Sequence, residues 1–447
     1  MMLRPTGIAG LDEILGGFLK PSTILIAGTA GVGKTMFVLE SLSSVAEQES
    51  TLYIPIATSG RSFRQDPSFP LMHESITVYP IERMSAERDP LSVLIDIGNV
   101  VADSEADRIA IDPITPLGSA FSEQERHRFI GTIDSMTPEW GAVTLFTGEL
   151  TGKEIHTSIL SHFVDVILYL SYEDHKRYIS RNLRIFKTMS STNNHILSKI
   201  YTFYISKDGI RVFPTIKTKI THKDISIRVP TGVQRLDAML GGGIPETYST
   251  LVEGNSGTGK TIFGLEFIHE SLKNGKPSVI VSFNESPDQL IAEAMRFGWD
   301  LHRYARDGIL KFIYTTDHIH PDVHLWRIRE MVESIGARSV MFDGISDIET
   351  VFYGSLRMRA YIQSLIRYFK DAGVTSVFTN ETKNTSSSRM TDAGASFLMD
   401  GIISLENVRS DSEMRKTMLI LKMRGTDHSQ SIKEYTITEH GIEIMGW

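Results

Sequence analysis

Short aliphatic and β-branched runs alternate along this chain with longer stretches that have the hydrophobic spacing of helices. The runs expected to form buried strands are 23–27, 51–57, 142–147, 250–253, 278–283 and 376–379. Helical stretches are expected at 34–48 and 260–274. This alternation predicts an α/β fold in which helices cover both faces of a mainly parallel sheet. Later β-rich segments predict hairpins that close each sheet, at 166–172, 183–186, 402–405 and 418–423.

The same pattern occurs twice in one order. The segment TGIAGLDEILGG at 6–17 reappears as TGVQRLDAMLGG at 231–242, and the glycine-rich segment 28–35 returns at 254–261. Further landmarks recur at nearly the same offset, pairing 108–112 with 338–343, 146–149 with 378–381, and 205–210 with 437–442. Such a repeat indicates a tandem duplication. It predicts two domains, 1–220 and 221–447, joined by an extended linker within 214–228.

Both glycine-rich segments have the form G-x-x-x-x-G-K-[ST]. Glycines let the backbone curl so that successive N–H groups point at phosphate oxygens where the next helix begins. The lysine would reach the β- and γ-phosphates, and the threonine hydroxyl would bind Mg²⁺. These motifs predict two sites for ATP and Mg²⁺. The predicted phosphate-binding residues are Gly28, Thr29, Ala30, Gly31, Val32, Gly33, Lys34 and Thr35 in the first copy, and Gly254, Asn255, Ser256, Gly257, Thr258, Gly259, Lys260 and Thr261 in the second.

Two aspartates end apolar runs that are expected to be buried strands. A carboxylate at the end of such a strand can hold the hydration shell of Mg²⁺. We therefore predict that Asp112, through water, acts with Thr35 at one metal site, and Asp343 with Thr261 at the other. The alternative is that each aspartate caps the turn after its strand.

Only the second copy carries an acid just after its second strand. Glu285 follows a strand that we expect to neighbour the P-loop strand, where it could orient or deprotonate the water that attacks the γ-phosphate. The alternative is a charge at the start of a helix beside Ser286 and Pro287. The corresponding segment 56–61 of the first copy, IATSGR, contains no acid.

Composition narrows the function classes. Apolar residues make up 41% and charged residues 22% of the 447, as in globular proteins with sizeable cores, and no apolar run approaches the length of a membrane span. The absence of cysteine excludes disulfides and thiolate chemistry and suits a reducing cytoplasm. The net charge of −8 is shared evenly, with 21 basic and 25 acidic residues up to position 220 and 25 and 29 after it. Neither half has the basic excess that is typical of nucleic-acid binding.

With these features the chain resembles the double-domain members of the KaiC family of RecA-like ATPases. The resemblance rests on the repeated segments 6–17 and 231–242, both P-loops, Asp343, the NESP segment at 284–287 and the KMRGT segment at 422–426. It implies two RecA-like domains and assembly into a ring, expected to be a homohexamer, with ATP between neighbouring subunits. In that arrangement Lys422 and Arg424 would reach the neighbour's γ-phosphate and stabilise charge during transfer. The alternative for these two residues is a pair of cations on one strand face.

Departures from the family pattern divide the two copies. The family has two adjacent acids where this chain has Asn284 and Glu285, and the first copy has neither. Its counterpart of 422–425 reads KTMS at 187–190, which lacks the arginine. We therefore predict that the first domain binds ATP but hydrolyses it poorly. The second would be the working ATPase; its catalytic residues would be Glu285, Lys260, Arg424 and Lys422.

The resemblance also includes a region that is phosphorylated in the family's clock protein. Ser396 matches one acceptor of an adjacent serine–threonine pair, and Phe397 replaces the other. Asn284 stands where the base is expected, and an amide does not accept a proton near neutral pH. Autophosphorylation at Ser396 alone is one interpretation; a hydroxyl on a core-facing segment is the other.

Three functions stay open at this point. A slow ring ATPase with a signalling role ranks first, and a nucleotide-gated scaffold that recruits protein partners ranks second. A motor on nucleic acid ranks last, because its local support is limited to two cations in the polar segment 383–389.

Overall fold

The chain divides into two units, Met1–Thr215 and Ile216–Trp447, in a computed structural model. The expected boundary at residue 220 falls within 216–225, outside the described residues. The structure describes residues 2–57, 72–118, 123–158, 160–174, 179–189, 194–197, 199–207, 209–215, 226–316, 319–348, 355–382, 395–410 and 413–446.

The first unit contains one large sheet and a two-stranded ribbon. Its strands are β1 (Met2–Arg4), β2 (Phe18–Lys20), β3 (Ser22–Gly28), β4 (Thr51–Ala57), β5 (Thr77–Val78), β6 (Ile81–Glu82), β7 (Arg108–Asp112), β8 (Val143–Glu149), β9 (Val166–Asp174), β10 (Ile179–Lys187), β11 (Ile200–Ser206) and β12 (Gly209–Phe213). Its helices are α1 (Asp12–Leu15), α2 (Lys34–Ser43), α3 (Arg83–Arg88), α4 (Pro90–Ser104), α5 (Glu123–Glu139), α6 (Leu160–Phe163) and α7 (Asn194–Leu197).

The large sheet has the strand order β12-β11-β10-β9-β3-β8-β7-β4-β5, and β6 also pairs with β4. Pairing is parallel from β9 through β3 to β5 and antiparallel from β9 to β12. The antiparallel part forms the expected hairpins. The sheet is therefore mainly parallel with a hairpin edge, as the sequence predicts.

The second unit repeats this plan. Its strands are β13 (Arg228–Val229), β14 (Ile244–Pro245), β15 (Ser249–Gly254), β16 (Ser278–Ser282), β17 (Leu310–Tyr314), β18 (Ser339–Asp343), β19 (Thr375–Glu381), β20 (Gly401–Ser410), β21 (Glu413–Met423), β22 (Lys433–Thr438) and β23 (Gly441–Ile444). Its helices are α8 (Gln234–Met239), α9 (Lys260–Lys273), α10 (Pro287–Met295), α11 (Leu301–Arg306), α12 (Pro321–Ile335) and α13 (Ser355–Ala372). The order of its main sheet is β17-β16-β18-β19-β15-β20-β21-β22-β23.

Each main sheet is buried on both faces. Successive residues of a strand point to opposite faces, and along β3 Ile24 and Ile26 join one buried cluster while Leu25 and Ala27 join another. The second unit likewise has two clusters, one under α9 and one under α12 and α13. The predicted α/β class with helices on both faces is confirmed.

Two sequence expectations can be compared directly with these elements. The first P-loop helix, α2, ends at Ser43 and not at residue 48, because 45–48 continue as turns rather than as helix. Among the described residues, no helix combines the length and apolar character that crossing a bilayer requires.

Candidate nucleotide sites

Each P-loop connects a central strand to the helix that follows it, β3 to α2 and β15 to α9. Gly33 and Gly259 precede these helices with φ of 108° and 93°, a backbone region that side chains rarely adopt. A Cβ on Gly33 would lie 2.6 Å from Ile205, and one on Gly259 would lie 2.8 Å from Ile437. No side chain caps either helix start. The first backbone N–H groups are therefore directed toward the loop, as an anion site requires.

The P-loop lysines fold back onto their own loops. Lys34 donates hydrogen bonds to the carbonyls of Gly28 at 3.0 Å and Thr29 at 2.9 Å, and Lys260 donates to the carbonyl of Asn255 at 2.9 Å. Burial lowers the pKa of both lysines; nearby carboxylates oppose this effect, Glu149 and Asp112 at Lys34 and Glu381 and Asp343 at Lys260. Both ammonium groups are thus placed where phosphate oxygens could replace the loop carbonyls.

The predicted metal ligands of the second copy lie together. The hydroxyl of Thr261 donates to Oδ1 of Asp343 at 3.4 Å, and that of Thr379 donates to the same oxygen at 2.7 Å. Burial raises the pKa of Asp343, while its hydrogen bonds to Thr379 and Thr261 and the charge of Lys260 oppose the shift. Hydroxyl and carboxylate oxygens suit Mg²⁺, which usually takes one or two protein ligands and completes its shell with water and phosphate. The residues of this site fit the metal.

The first copy arranges its aspartate differently. Thr147, at the position equivalent to Thr379, donates a hydrogen bond to Oδ1 of Asp112, and the hydroxyl of Tyr53 donates to Oδ2 at 2.9 Å. Among the described residues, no hydrogen bond joins Thr35 to Asp112. The two predicted ligands of this site are therefore not coupled as Thr261 and Asp343 are.

The expected place of Glu285 is corrected by the strand order. Its strand, β16, was expected beside the P-loop strand β15, but β18 and β19 lie between them. Both β18 and β19 come later in the chain than β16, yet in the sheet they lie between β15 and β16. The order of the strands along the chain is therefore not their order in the sheet. Glu285 still approaches the nucleotide site, because β16 pairs directly with β18, whose last residue is Asp343.

Glu285 belongs to a cluster of acidic residues at the C-terminal ends of β16 and β18, with Glu293, Asp343 and Asp347. Its backbone N–H donates to Ser282 Oγ at 3.2 Å, and its carboxyl shares a hydrogen bond with Glu293 on α10. Burial raises the pKa of Glu285 to about 7, and the charges of Glu293 and Asp343 add to the shift. A carboxyl that titrates near neutral pH has the proton affinity of a general base.

Asn284, the first residue of the altered acid pair, has a structural partner. Its Nδ2 donates to Oδ2 of Asp347 at 2.6 Å. Burial raises the pKa of Asp347, and Asp343 contributes to the shift. Asn284 therefore lies within this cluster of acidic residues, and its hydrogen bond connects the segment after β16 to the segment after β18.

Lys422 and Arg424 lie at the end of their sheet that is opposite to the P-loop of their own domain. Met423 pairs with Gly401, which lies beside Thr250 near the start of β15, whereas the P-loop leaves β15 at its other end. The separation is about four residues along a strand, roughly 13 Å. Neither cation is therefore placed at the P-loop of its own domain.

Both cations hold the segment before β20. Lys422 donates to the carbonyls of Met399 at 2.7 Å and Ser396 at 3.5 Å, and Arg424 donates to the carbonyl of Phe397 at 3.1 Å. Arg424 also pairs with Asp400 at 3.5 Å, yet about half of its side chain stays exposed. Burial lowers the pKa of Lys422, with Arg424 adding to the effect.

Strand register confirms that Lys187 is the counterpart of Lys422. Each pairs across an antiparallel ladder at a β-bulge, Lys187 with Ile167 and Lys422 with Ile402. Lys187 also donates to two carbonyls before its neighbouring strand, Ser161 at 3.4 Å and His162 at 3.1 Å. The arginine position two residues later holds Met189 in this copy.

The candidate phosphorylation region is described in part. Ser396 is 2% exposed, and the next side chain, Phe397, is 64% exposed. A buried hydroxyl matches the core-facing interpretation of Ser396 in this conformation. The polar segment 383–389 and residues 391–394 lie outside the described part of the chain.

Several residues near the sites were not singled out from the sequence. Thr147, Thr379, Glu149 and Glu381 belong to the repeated F-T-x-E segments, so the repeat itself was a usable signal. Others depend on contacts across strands, for which the sequence gives no local signal: Tyr53, Glu293, Asp347, Lys416 and Tyr435. Lys416 donates to the carbonyl of Gly257, and Tyr435 donates to that of Thr258 at 2.5 Å, so both support the second P-loop.

A separate cleft of about 540 Å³ lies in the first unit between α4 and α5, lined in part by Lys20, Glu105 and Trp140. Lys20 and Glu105 come before β3 and β7, at the strand ends opposite to the P-loop, so this cleft is not the nucleotide site. Within the described ranges, no cluster of three or more histidine, aspartate or glutamate residues has the arrangement of a metal site.

Comparisons with known proteins agree with this geometry. A family model described as "ATPase: KaiC" matches residues 4–217 and again 229–446. The circadian clock oscillator protein KaiC of Acaryochloris marina is 28% identical, covering 98% of this chain and 88% of that protein. The circadian clock protein KaiC3 of Synechocystis is 28% identical over 98% of this chain and 91% of its own length, and KaiC2 of that organism is 27% identical over 99% and 81%. With one family match in each tandem α/β domain, the chain belongs to the KaiC ATPase family.

Proposed function

We propose that this protein binds ATP at both P-loops and hydrolyses it slowly, with Mg²⁺, at the second. The observation that carries this proposal is the convergence of Lys260, Thr261, Asp343 and Glu285 at one edge of the second sheet. The protein would act as a homo-oligomeric ring, expected to be a hexamer, in which turnover serves a regulatory role.

Each residue of the second site has a distinct task. Backbone N–H groups at the start of α9 and the ammonium of Lys260 would bind the phosphates. Thr261 and Asp343 would hold Mg²⁺, which neutralises charge on the phosphates when bound. Glu285 would accept the proton of the attacking water, since its raised pKa of about 7 gives it sufficient basicity while it remains partly ionised at neutral pH.

The position of Lys422 and Arg424 supports a composite site. They lie at the strand ends opposite to the P-loop of their own domain. The half-exposed guanidinium of Arg424 can contact a second subunit. A guanidinium that reaches the neighbour's γ-phosphate stabilises the charge that develops in transfer. This arrangement makes hydrolysis depend on assembly.

The first site would bind ATP and hydrolyse it poorly. Lys34 and the start of α2 keep the phosphate-binding geometry, but the sequence supplies neither an acid like Glu285 nor an arginine like Arg424. Nucleotide at this site would stabilise the ring, because ligand bound between subunits favours the assembled state.

The names of the relatives suggest a signalling use. Those compared above are called circadian clock proteins, and we propose a regulatory role in which protein partners distinguish ATP-bound from ADP-bound rings. Affinity capture with ATP or ADP bound would test this, and identical partner sets in both states would contradict nucleotide gating.

The decisive experiment measures phosphate release and molecular mass of the purified full chain with ATP and Mg²⁺. Lys260→Ala and Glu285→Gln should each abolish most turnover, whereas Lys34→Ala should retain it if the ring stays assembled. Mass measurements on the same samples separate loss of chemistry from loss of the ring. Equal turnover in wild type, Lys260→Ala and Glu285→Gln would contradict the proposal.

A further inference from the structure

Tyr53 occupies a position at which the two copies differ. In the first sheet Tyr53 pairs with Ala110, two residues before Asp112; in the second, Ile280 pairs with Met341, two residues before Asp343. The two positions are therefore equivalent in register. Because residues two apart point to the same face of a strand, the side chains at both positions share a face with the aspartate.

The tyrosine hydroxyl changes the bonding of the aspartate. Tyr53 is 1% exposed, and its hydroxyl donates to Oδ2 of Asp112 at 2.9 Å. Thr147 donates to the other oxygen, Oδ1. In the second copy the hydroxyls of Thr261 and Thr379 both donate to Oδ1 of Asp343, and the Ile280 side chain has no hydrogen-bonding group.

This difference bears on the metal. A buried carboxylate assists Mg²⁺ by accepting hydrogen bonds from the waters of its rigid octahedral shell. At Asp112 both oxygens already have donors from within the sheet, and a hydroxyl that donates to a carboxylate makes a strong, charge-assisted bond. Among the described residues Thr35 makes no hydrogen bond to Asp112, so this carboxylate is held by donors on β4 and β8 and is not bonded to Thr35 at the start of α2.

We propose that Tyr53 is a positioning residue that makes nucleotide binding at the first site nearly independent of Mg²⁺. The inference rests on the proposed function, since it requires nucleotide at the first P-loop. The first site would hold its nucleotide through Lys34 and the backbone of α2, and the second would require the metal. Changes in free Mg²⁺ would then act on one site and not on the other.

The test uses the full chain with the second site blocked by Lys260→Ala. Equilibrium dialysis with labelled ATP gives the affinity of the first site in excess Mg²⁺ and in excess EDTA. The ratio of the two affinities should be close to one. Adding Tyr53→Phe, which keeps the buried ring and removes the hydroxyl, should raise the ratio by about tenfold, the effect of one charge-assisted hydrogen bond.

A matched control is Tyr201→Phe in the same background, because Tyr201 is also a buried tyrosine of the first unit. This variant should leave the ratio unchanged, and melting curves should show that both variants fold. Electron paramagnetic resonance of added Mn²⁺ with ATP provides a readout without turnover: Tyr53→Phe should gain a bound Mn²⁺ that its parent lacks.

The outcomes separate the two proposals. Failure of the first site to bind ATP with or without metal would contradict the proposed function. ATP binding whose metal dependence is the same before and after the Tyr53→Phe change, or a strong metal dependence already present with Tyr53, would overturn the role of Tyr53 alone. The reciprocal variant Ile280→Tyr, combined with Lys34→Ala, should weaken the Mg²⁺ dependence of the second site if it folds.

Discussion

The hydroxyl of Thr379 donates a 2.7 Å hydrogen bond to Oδ1 of Asp343, and the same hydroxyl accepts a 2.8 Å bond from the backbone N–H of Gly344. Thr379 thereby fixes both the carboxylate and the turn that follows it. The end of β18 is held by its neighbour β19, so the orientation of the candidate metal ligand is a property of the sheet.

Thr379→Val should weaken Mg²⁺-dependent turnover by at least about tenfold, the size of effect seen when partners that orient metal ligands are removed. It should also destabilise the second unit by about 1–3 kcal/mol, because the partly buried Gly344 N–H loses its acceptor and the buried Asp343 carboxylate loses a donor. Phosphate release at several Mg²⁺ concentrations and thermal melting would measure these effects. Thr147→Val is the matched control in the first copy, and the turnover of this variant should stay near wild type. Equal losses of turnover in both variants would contradict the assignment of hydrolysis to the second site.

The raised pKa of Glu285 predicts a pH profile for hydrolysis. A general base must be ionised, so kcat/KM should fall tenfold per pH unit below about 7 and level off above it. Burial is the main cause of the shift, and Glu293 and Asp343 add to it. Glu293→Gln removes one of these charges, so the midpoint of the profile should move to lower pH.

Initial rates at low ATP concentration, measured across the pH range, would test this prediction. Glu285→Gln supplies the baseline, which should be low and without this inflection. An unchanged midpoint in Glu293→Gln would show that the pair does not share its proton, and a wild-type midpoint near the ordinary value of a carboxyl would remove Glu285 as the titrating base.

Glu266 should make the second unit less stable at high pH. Its buried carboxylate accepts a 3.0 Å hydrogen bond from the N–H of Ile442, yet burial raises its pKa from 4.5 to about 7, with Asp237, Glu270 and Glu443 adding to the shift. Between these values the folded protein holds a proton that the unfolded chain releases. The contribution of Glu266 to the free energy of unfolding is therefore highest at and below about pH 4.5. It falls as pH rises and stops falling above about pH 7.

Glu266→Gln should therefore be more stable than wild type at about pH 8, by up to about 3 kcal/mol, and the difference should shrink toward about pH 4.5. Denaturant unfolding at several pH values, with the two unfolding transitions followed separately, would measure this. Glu443→Gln is a control at a more exposed neighbour and should give a much smaller change. A pH-independent difference would contradict the raised pKa.

Local features of both sites follow from the sequence because they depend on neighbouring residues. The P-loops lie between a strand and a helix as predicted, and Asp112 and Asp343 end buried strands. Hydrophobic runs and glycines in a fixed spacing are sufficient for these assignments. The boundaries of the predicted core strands agree to within about two residues, and the predicted 51–57 is identical to β4. The predicted hairpin segments 402–405 and 418–423 cover only part of β20 and β21.

Contacts across the sheet could not be read in this way. Chain order placed β16 next to β15, whereas β18 and β19 separate them. The bond from Tyr53 to Asp112 depends on the register of β4 against β7, and a buried tyrosine in a strand usually reads as core. Register is set by the pairing of entire strands, so a single sequence does not reveal which polar side chains become neighbours.

The place of Arg424 predicts that active sites are shared between subunits. Mixing Lys260→Ala protein with Arg424→Ala protein should restore turnover, because an interface that joins the intact P-loop of one subunit to the intact arginine of its neighbour is complete. With random mixing at equal amounts, about a quarter of the interfaces would be complete, so recovery of about a quarter of wild-type turnover is expected.

The measurement is phosphate release after subunit exchange, with mass determination to show that mixed rings form. Mixing Lys260→Ala with Glu285→Gln is the control, because both changes lie on the P-loop side of the interface and no complete site results. Recovery in the first mixture and none in the control would support a shared site. If exchange occurs and neither mixture recovers, Arg424 acts within its own subunit, through its contacts with Asp400 and Phe397.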